Sequence, residues 1–241
     1  MSPQPLQRIP DMPSQQLIQP QPTSTLQPDQ QRLRPAGWLL VAGALVSLAA
    51  GATPSMYELY TSQTPQQFLQ LLADRSNTWI GVHLAFLAGV VLLTLGLAAL
   101  TSALADSHGK TLATIGLALF LVATPIRVLQ TIFAATVTVT AADQTSSSGA
   151  VPPAYQLLEG FLWGQPNWAL AVFIALTGLG LASYGAALLT AGRLARWLGW
   201  TFVVSGLLLA VTIAFVGDGP PEAIALPLLL GGILALRQPR R

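Results

Sequence analysis

Residues 78–104, TWIGVHLAFLAGVVLLTLGLAALTSAL, form an uninterrupted run without Asp, Glu, Lys or Arg. A helix rises about 1.5 Å per residue, so this run exceeds the roughly 20 residues that cross a bilayer core of about 30 Å. Backbone polar groups in lipid must be satisfied within the segment, and the alternation with a period of two that marks barrel strands is absent from the sequence. The run therefore predicts a transmembrane helix.

Five further apolar stretches predict that the fold class is all-α, a polytopic transmembrane helix bundle of six spans. The sixth is short, and it crosses only if Pro220 and Pro221 are included and Arg237 reaches to the interface. The chain is 52% hydrophobic and 8% charged, whereas soluble domains carry about 25% charged residues. We therefore expect the lipid bilayer as its environment. The spans are expected at residues 35–57, 78–104, 111–137, 166–190, 196–216 and 223–236.

The loops alternate in basic charge, which predicts an orientation. With the N terminus inside, Arg75 is the only basic residue of the outer segments. Six of the nine acids lie in these outer segments: Glu58, Asp74, Asp143, Glu159, Asp218 and Glu222. Because Lys and Arg remain on the cytoplasmic side, both termini are predicted to be cytoplasmic and the protein to be a multi-pass protein of the cytoplasmic membrane. The cytoplasmic segments then hold Arg8, Arg32, Arg34, Lys110, Arg193, Arg196, Arg237, Arg240 and Arg241.

Two segments are predicted to lack regular structure. Residues 1–34 are rich in Gln and Pro and bury too little apolar surface to offset the entropy of ordering, so we expect a disordered cytoplasmic tail before a transmembrane domain at 35–238. This tail has no apolar run typical of a signal peptide, and no cleaved leader is expected. The outer loop Ala141–Pro153 is expected to be a flexible linker. The net charge of +2 does not suggest a nucleic-acid partner.

A group of polar residues is predicted at one depth in the bundle. Counted from Leu112, Arg127 lies about 22 Å from the inner boundary, and His83 lies about 6 Å below the outer one. A charged residue inside the bilayer is costly and usually faces the bundle interior or a wet cavity. We therefore predict an outward-facing polar pocket for small-solute binding or transport. Its candidate ligand-binding residues are Arg127, His83, Gln130, Gln165 and Asn167.

A structural interpretation of the same residues stays open. Arg127 could form an internal ion pair with Glu58 or Glu159, which lie near the outer ends of their segments. His83 could be a hydrogen-bonded packing residue. The protein would then be a structural or regulatory membrane subunit without a ligand site.

Enzyme and metal chemistry are not indicated. The chain has no Cys and two His, and it contains neither an HExxH motif nor an acid in mid-span. We expect no catalytic residues, no metal site and no cofactor. Small residues recur at intervals of four, and such ladders let helices approach closely. They predict packing within the chain, with a homo-oligomer or another membrane partner as the alternative. The ladders are Gly43/Ser47/Gly51, Gly81/Ala85/Gly89 and Gly178/Ala182/Ala186.

Three short motifs carry a resemblance that covers residues 33–238. They are Arg-Pro-Ala-Gly-Trp at 34–38, Trp-Ile-Gly-Val-His at 79–83 and Pro-Ile-Arg at 125–127. With the six-span layout, they resemble uncharacterised bacterial integral membrane proteins of the domain-of-unknown-function type. The resemblance implies the bundle but no known activity, and it assigns no functional residue.

Overall fold

The computed structural model describes residues 28–54, 59, 64–162, 168–192, 194–216 and 221–237, and these ranges are helical without any strand. The all-α prediction is confirmed. A π-helical turn occupies Ala134–Thr138, and a 3-10 turn occupies Pro221–Ile224. The α-helices are α1 Pro28–Gly51, α2 Pro65–Ala73, α3 Ser76–Ala103, α4 Lys110–Phe133, α5 Val139–Ser148, α6 Pro153–Leu162, α7 Trp168–Ala191, α8 Arg196–Val216 and α9 Ala225–Arg237.

Several described helices are suited to a membrane. Helix α9 is apolar but has only 13 residues, so a sixth span and the orientation of the termini stay predictions. Large apolar side chains such as Val122 and Leu208, each 60% exposed, lie on the outside of the bundle, where lipid would cover them. Five segments of the described chain are long and apolar enough to cross: Leu33–Gly51, Ser76–Ala103, Lys110–Ser148, Trp168–Ala191 and Arg196–Ile213.

The first helix begins earlier than hydropathy predicts. Helix α1 starts at Pro28, so the predicted boundary after residue 34 falls inside it and Pro35 is an interior residue rather than a helix start. The residues that precede position 35 in this helix, 28–34, are mostly polar. A hydropathy pattern marks where a helix enters the apolar layer, and it does not mark where the helix itself begins. Residues 1–27 of the predicted tail lie outside the described residues.

The prediction of a flexible linker at Ala141–Pro153 is wrong, because helix α5 continues to Ser148. Thr145 Oγ1 donates to the Ala141 carbonyl at 2.7 Å, and Ser148 Oγ donates to the Gln144 carbonyl at 2.7 Å. Hydroxyls bonded one turn back are compatible with a helix, and α5 also packs against α2. The helix ends at Gly149, whose φ of 72° is the left-handed conformation that glycine adopts readily.

The long helices of the described chain, together with α9, form two groups of three. Helix α1 packs between α3 and α9, and α7 packs between α4 and α8. The two groups meet where α3 contacts α4 and, more sparsely, where α8 contacts α9. The continuous segment Lys110–Ser148 has 39 residues, about 58 Å of helix, and extends about 28 Å beyond a bilayer core. Helix α5 is the end of this extension, and it forms a cap together with α2 and α6.

Pairs of glycines hold neighbouring helices together. A Cβ built on Gly43 would lie 2.9 Å from the Gly89 carbonyl oxygen, and one on Gly89 would lie 3.0 Å from the Gly43 oxygen. Only glycine, whose side chain is a single hydrogen atom, allows two helix backbones to approach this closely. Gly81, by contrast, faces open space. These ladders therefore pack largely within the chain, as predicted. The mutual pairs are Gly37–Gly232, Gly43–Gly89, Gly116–Gly180, Gly178–Gly206 and Gly185–Gly199.

Candidate functional site

Arg127 is buried in the bundle, with 4% of its surface exposed. Its guanidinium carbon lies 5.0 Å from the centre of the Phe86 ring, a cation–π contact between α4 and α3. Its Nη1 donates to Gln130 Oε1 at 3.3 Å, which the spacing of three residues on one helix face allows. Pro125, just before it, has no N–H to donate to the preceding turn. Arg127 and Gln130 thus come together as predicted.

His83 belongs to the same cluster and is fully buried. Its ring centre lies 4.2 Å from that of Trp79, and its Nδ1 lies 2.9 Å from the Trp79 carbonyl oxygen. The carbonyl can only accept, so Nδ1 carries the proton in this contact. His83 also lies within electrostatic range of Arg127. Arg127 therefore lies near His83 and binds Gln130. The depth argument predicted a shared depth for these residues but not that their side chains face one another.

Trp79 connects this cluster to the π turn. Its Nε1 donates to the Ala134 carbonyl oxygen at 3.1 Å, and Ala134 is the first residue of that turn. Within the turn, Thr138 Oγ1 donates to the Phe133 carbonyl at 3.3 Å, five residues back. A π turn leaves carbonyls outside the regular helical pattern, and side-chain donors can bind them. In the sequence, Trp79 was identified only as part of the Trp-Ile-Gly-Val-His motif at 79–83, and this role was not predicted.

A small cavity lies between the two helix groups, next to Arg127. Its volume is about 20 Å³, which is room for about one water molecule. Among the described residues of its wall, Arg127, Ser47 and Thr177 have polar side chains and the others are apolar. Thr177 Oγ1 donates to the Phe173 carbonyl at 2.7 Å, whereas Ser47 Oγ is buried without a hydrogen-bond partner among the described residues.

In the described part of the chain, side chains of the cap lie close to the residues of the predicted pocket. A hydrophobic cluster that joins Phe68, Leu69 and Leu72 of the cap to Trp79 and Phe86 lies over this end of the bundle. Arg127 and His83 are consequently buried. Hydropathy locates polar residues in depth, but it contains no information about the packing of α2 and α5 above them. Three predicted residues, Gln165, Asn167 and Glu58, lie outside the described residues.

Glu159, the other predicted ion-pair candidate, is half-buried in α6. Burial raises the pKa of the Glu159 carboxyl above its usual value. Burial, followed by the nearby Glu159 charge, raises the pKa of the Tyr155 hydroxyl. A neighbouring guanidinium would instead lower the pKa of a carboxyl. The described residues therefore give no sign of the predicted pair between Glu159 and Arg127.

Sequence analysis missed Ser47, Thr177 and the ring of Phe86 as parts of the site. Ser47 was assigned to a packing ladder, and it does lie against Gly89. No local pattern distinguishes a serine that lines a cavity from one that fills a helix contact. Among the described residues, no group of three or more His, Cys, Asp or Glu could hold a metal ion.

No protein-family model, curated protein or solved structure matches this chain. The resemblance to six-span bacterial membrane proteins of the domain-of-unknown-function type therefore stays a prediction.

Proposed function

We propose that this is a non-enzymatic integral membrane protein that binds a small anionic solute inside its helix bundle at Arg127, as a transporter or as the solute-binding subunit of one. The observation that carries the proposal is the guanidinium on the wall of an otherwise largely apolar cavity. A positive charge in such surroundings attracts an anion more strongly than it would in water, because the local dielectric constant is low. The bound solute would lie among helices of both groups.

The proposed topology has six spans and cytoplasmic termini. Helix α9 runs antiparallel to α1, since Ala225 lies at the cavity with Arg127 and Leu236 lies beside Gly37. The 3-10 turn and α9 together would measure about 28 Å, close to a bilayer core of about 30 Å. The basic loops of the sequence support placing the start of α1 and the end of α9 in the cytoplasm. The cap then lies outside, above Arg127.

A structural or regulatory subunit is the second candidate. The bond from Trp79 to the Ala134 carbonyl and the contact of Arg127 with Phe86 both join α3 to α4. These two helices pack less extensively than the glycine-paired ones. In this function the polar cluster would fix two helices and bind no solute.

Thermal unfolding of the full chain in detergent, followed by tryptophan fluorescence, separates the two functions. The screen uses acetate, phosphate, nitrate and chloride as sodium salts, with gluconate at equal ionic strength as the reference. Binding to the folded state raises Tm in proportion to the logarithm of the ligand concentration above Kd. We expect at least one anion to raise Tm of the wild type, but not of Arg127→Gln.

Arg75→Gln is the matched control, because it removes the same charge from the N-cap of α3. It should keep the response to the anion. If no anion stabilises the wild type and Arg127→Gln lowers its Tm, the structural function is the correct one. An equal response in wild type and Arg127→Gln would show that the anions act elsewhere and would also refute the binding function.

A further inference from the structure

We infer that α6 is an interfacial helix whose Leu157 and Leu158 lie in the edge of the acyl-chain layer, so that this face of the cap binds the surface of the lipid bilayer. The inference rests on the membrane setting of the proposed function and not on the binding of an anion. It depends on three features of the described residues: the exposure of the two leucines, the level at which Tyr155 fixes the helix, and the lipid-facing surface that reaches this level.

Helix α6 turns an apolar face away from the bundle. Leu157 is 82% exposed and Leu158 is 45% exposed. Tyr155 is buried and Glu159 is half-buried, so these two residues face the bundle. Side chains follow one another at about 100° around a helix, which places the midpoint between the leucines about 130° from the side that faces the bundle. The same midpoint lies about 150° from Gln156, which is exposed. The helix therefore has separate bundle, apolar and polar sides.

The contact of α6 with α4 fixes the level of the two leucines. The ring of Tyr155 stacks on that of Phe133, with ring centres 6.0 Å apart and an interplanar angle of 19°. Counted from Leu112, Phe133 lies about 32 Å along the helix, which is the far boundary of a bilayer core of about 30 Å. Leu157 and Leu158 follow Tyr155 by two and three residues. They therefore lie within about 5 Å of this boundary along the axis of α6.

The surface that faces lipid continues up to the same level. Leu129 and Ile132, in the last turns of α4, are exposed large apolar residues. Trp168 is also exposed and begins α7, against which α6 packs. Tryptophan is enriched at the boundary between the acyl chains and the headgroups. An interfacial helix buries its apolar face about 5–10 Å into this boundary and keeps its polar face in water. Lipid is therefore the partner that the leucine face of α6 fits.

The test measures the surroundings of single spin labels in the full chain, reconstituted into liposomes of phosphatidylcholine and phosphatidylglycerol. The chain has no cysteine, so Leu157→Cys and Leu158→Cys each carry one nitroxide at a known position. Power saturation in electron paramagnetic resonance compares collisions with oxygen, which concentrates in acyl chains, and with a water-soluble nickel chelate. Gln156→Cys is the matched control on the polar side of α6. Val122→Cys is the control in lipid, because Val122 is exposed about 15 Å from Leu112, in mid-core.

We expect the ratio of oxygen to nickel collisions to be high at Leu157 and Leu158, lower than at Val122 because the site is shallower, and low at Gln156. If the nickel chelate reached Leu157 as readily as Gln156, the leucine face would lie in water and the inference would be overturned. If neither reagent reached Leu157, protein would cover the face, as in a dimer, and the inference would also be overturned. Leu158→Cys gives the same decision independently if Leu157→Cys does not fold.

The lipid control separates this inference from the proposed function. If the nickel chelate is excluded at Val122 but reaches Leu157, the bundle lies in the membrane and only the inference about α6 fails. If the chelate reaches Val122 as well, the bundle does not lie in lipid, and both the inference and the membrane setting of the proposed function fail. A failure of every anion to raise Tm would refute the binding function and leave the result for α6 unchanged.

Discussion

Replacing Gly206 by alanine should push α8 away from α7. A Cβ on Gly206 would collide with the Gly178 carbonyl oxygen and would lie 2.6 Å from the Ala182 nitrogen. Both are backbone atoms of α7, so no side chain can rotate to make room. Gly81→Ala is the matched control, because Gly81 lies in helix α3 and faces open space.

The magnitude follows from two opposing effects. Alanine stabilises a helix by about 0.8–1.0 kcal/mol relative to glycine, and this gain applies to both variants. Overpacking a tight contact costs about 1–3 kcal/mol, and this cost applies only to Gly206→Ala. The difference between the two variants is therefore the overpacking cost alone. At about 2–4 °C per kcal/mol for a chain of this size, Tm of Gly206→Ala should lie about 2–12 °C below that of Gly81→Ala.

Thermal unfolding of both variants in the same detergent, followed by tryptophan fluorescence, measures this difference. Gly81→Ala should unfold at or slightly above the wild-type temperature. The reasoning would be refuted if Gly206→Ala were as stable as Gly81→Ala, since α7 and α8 could then separate without cost. A third variant, Gly185→Ala, tests the other glycine pair of the same two helices and should behave like Gly206→Ala.

Four further outcomes are expected. Tyr184→Phe should lower the free energy of unfolding by about 1 kcal/mol, because the hydroxyl lies 2.6 Å from Thr101 Oγ1 and donates to a backbone carbonyl. When Thr101 is already replaced by valine, Tyr184→Phe should lower the free energy of unfolding by less. Burial raises the Glu159 pKa, so the free energy of unfolding of the wild type should fall as pH rises above about 4.5. Glu159→Gln should be the more stable protein at pH 8 but not at pH 4. Equal pH profiles for the two proteins would contradict this. A reporter fused after Arg241 should lie in the cytoplasm, whereas a periplasmic or extracellular reporter would leave five spans or a re-entrant α9. Deleting residues 2–27 should leave Tm unchanged, because their Gln- and Pro-rich sequence offers little apolar surface; a fall of several degrees would mean that they dock on the bundle.

The sequence allows the helices and the depth of the site to be predicted because both depend on position along an apolar run. Arg127 and His83 could be placed at one depth by counting at about 1.5 Å per residue, and in the structure they lie within electrostatic range of each other. The helical course of α5 could not be predicted. Its Thr and Ser residues favour loops in isolation, and only their bonds one turn back and the packing against α2 make a helix there.

The other polar residues of the cavity wall could not be predicted from the sequence, for a different reason. Ser47 and Thr177 belong to α1 and α7, which lie in different helix groups. Which residues face a shared cavity depends on how each helix is rotated about its axis. In lipid, apolar residues occupy both the core and the outer surface, so hydropathy does not define that rotation. The glycine pairs define it in the structure.

The long segment Lys110–Ser148 gives this small protein a surface feature that another protein can bind. The bundle itself would be almost hidden in a micelle, and a membrane protein of 25.3 kDa offers little contrast for particle alignment in electron microscopy. Because the helix that carries Arg127 continues through the π turn into the cap, an antibody fragment bound to α2 and α5 would hold one orientation relative to the cavity. Such a fragment would serve as a fiducial marker for imaging the site with and without an anion.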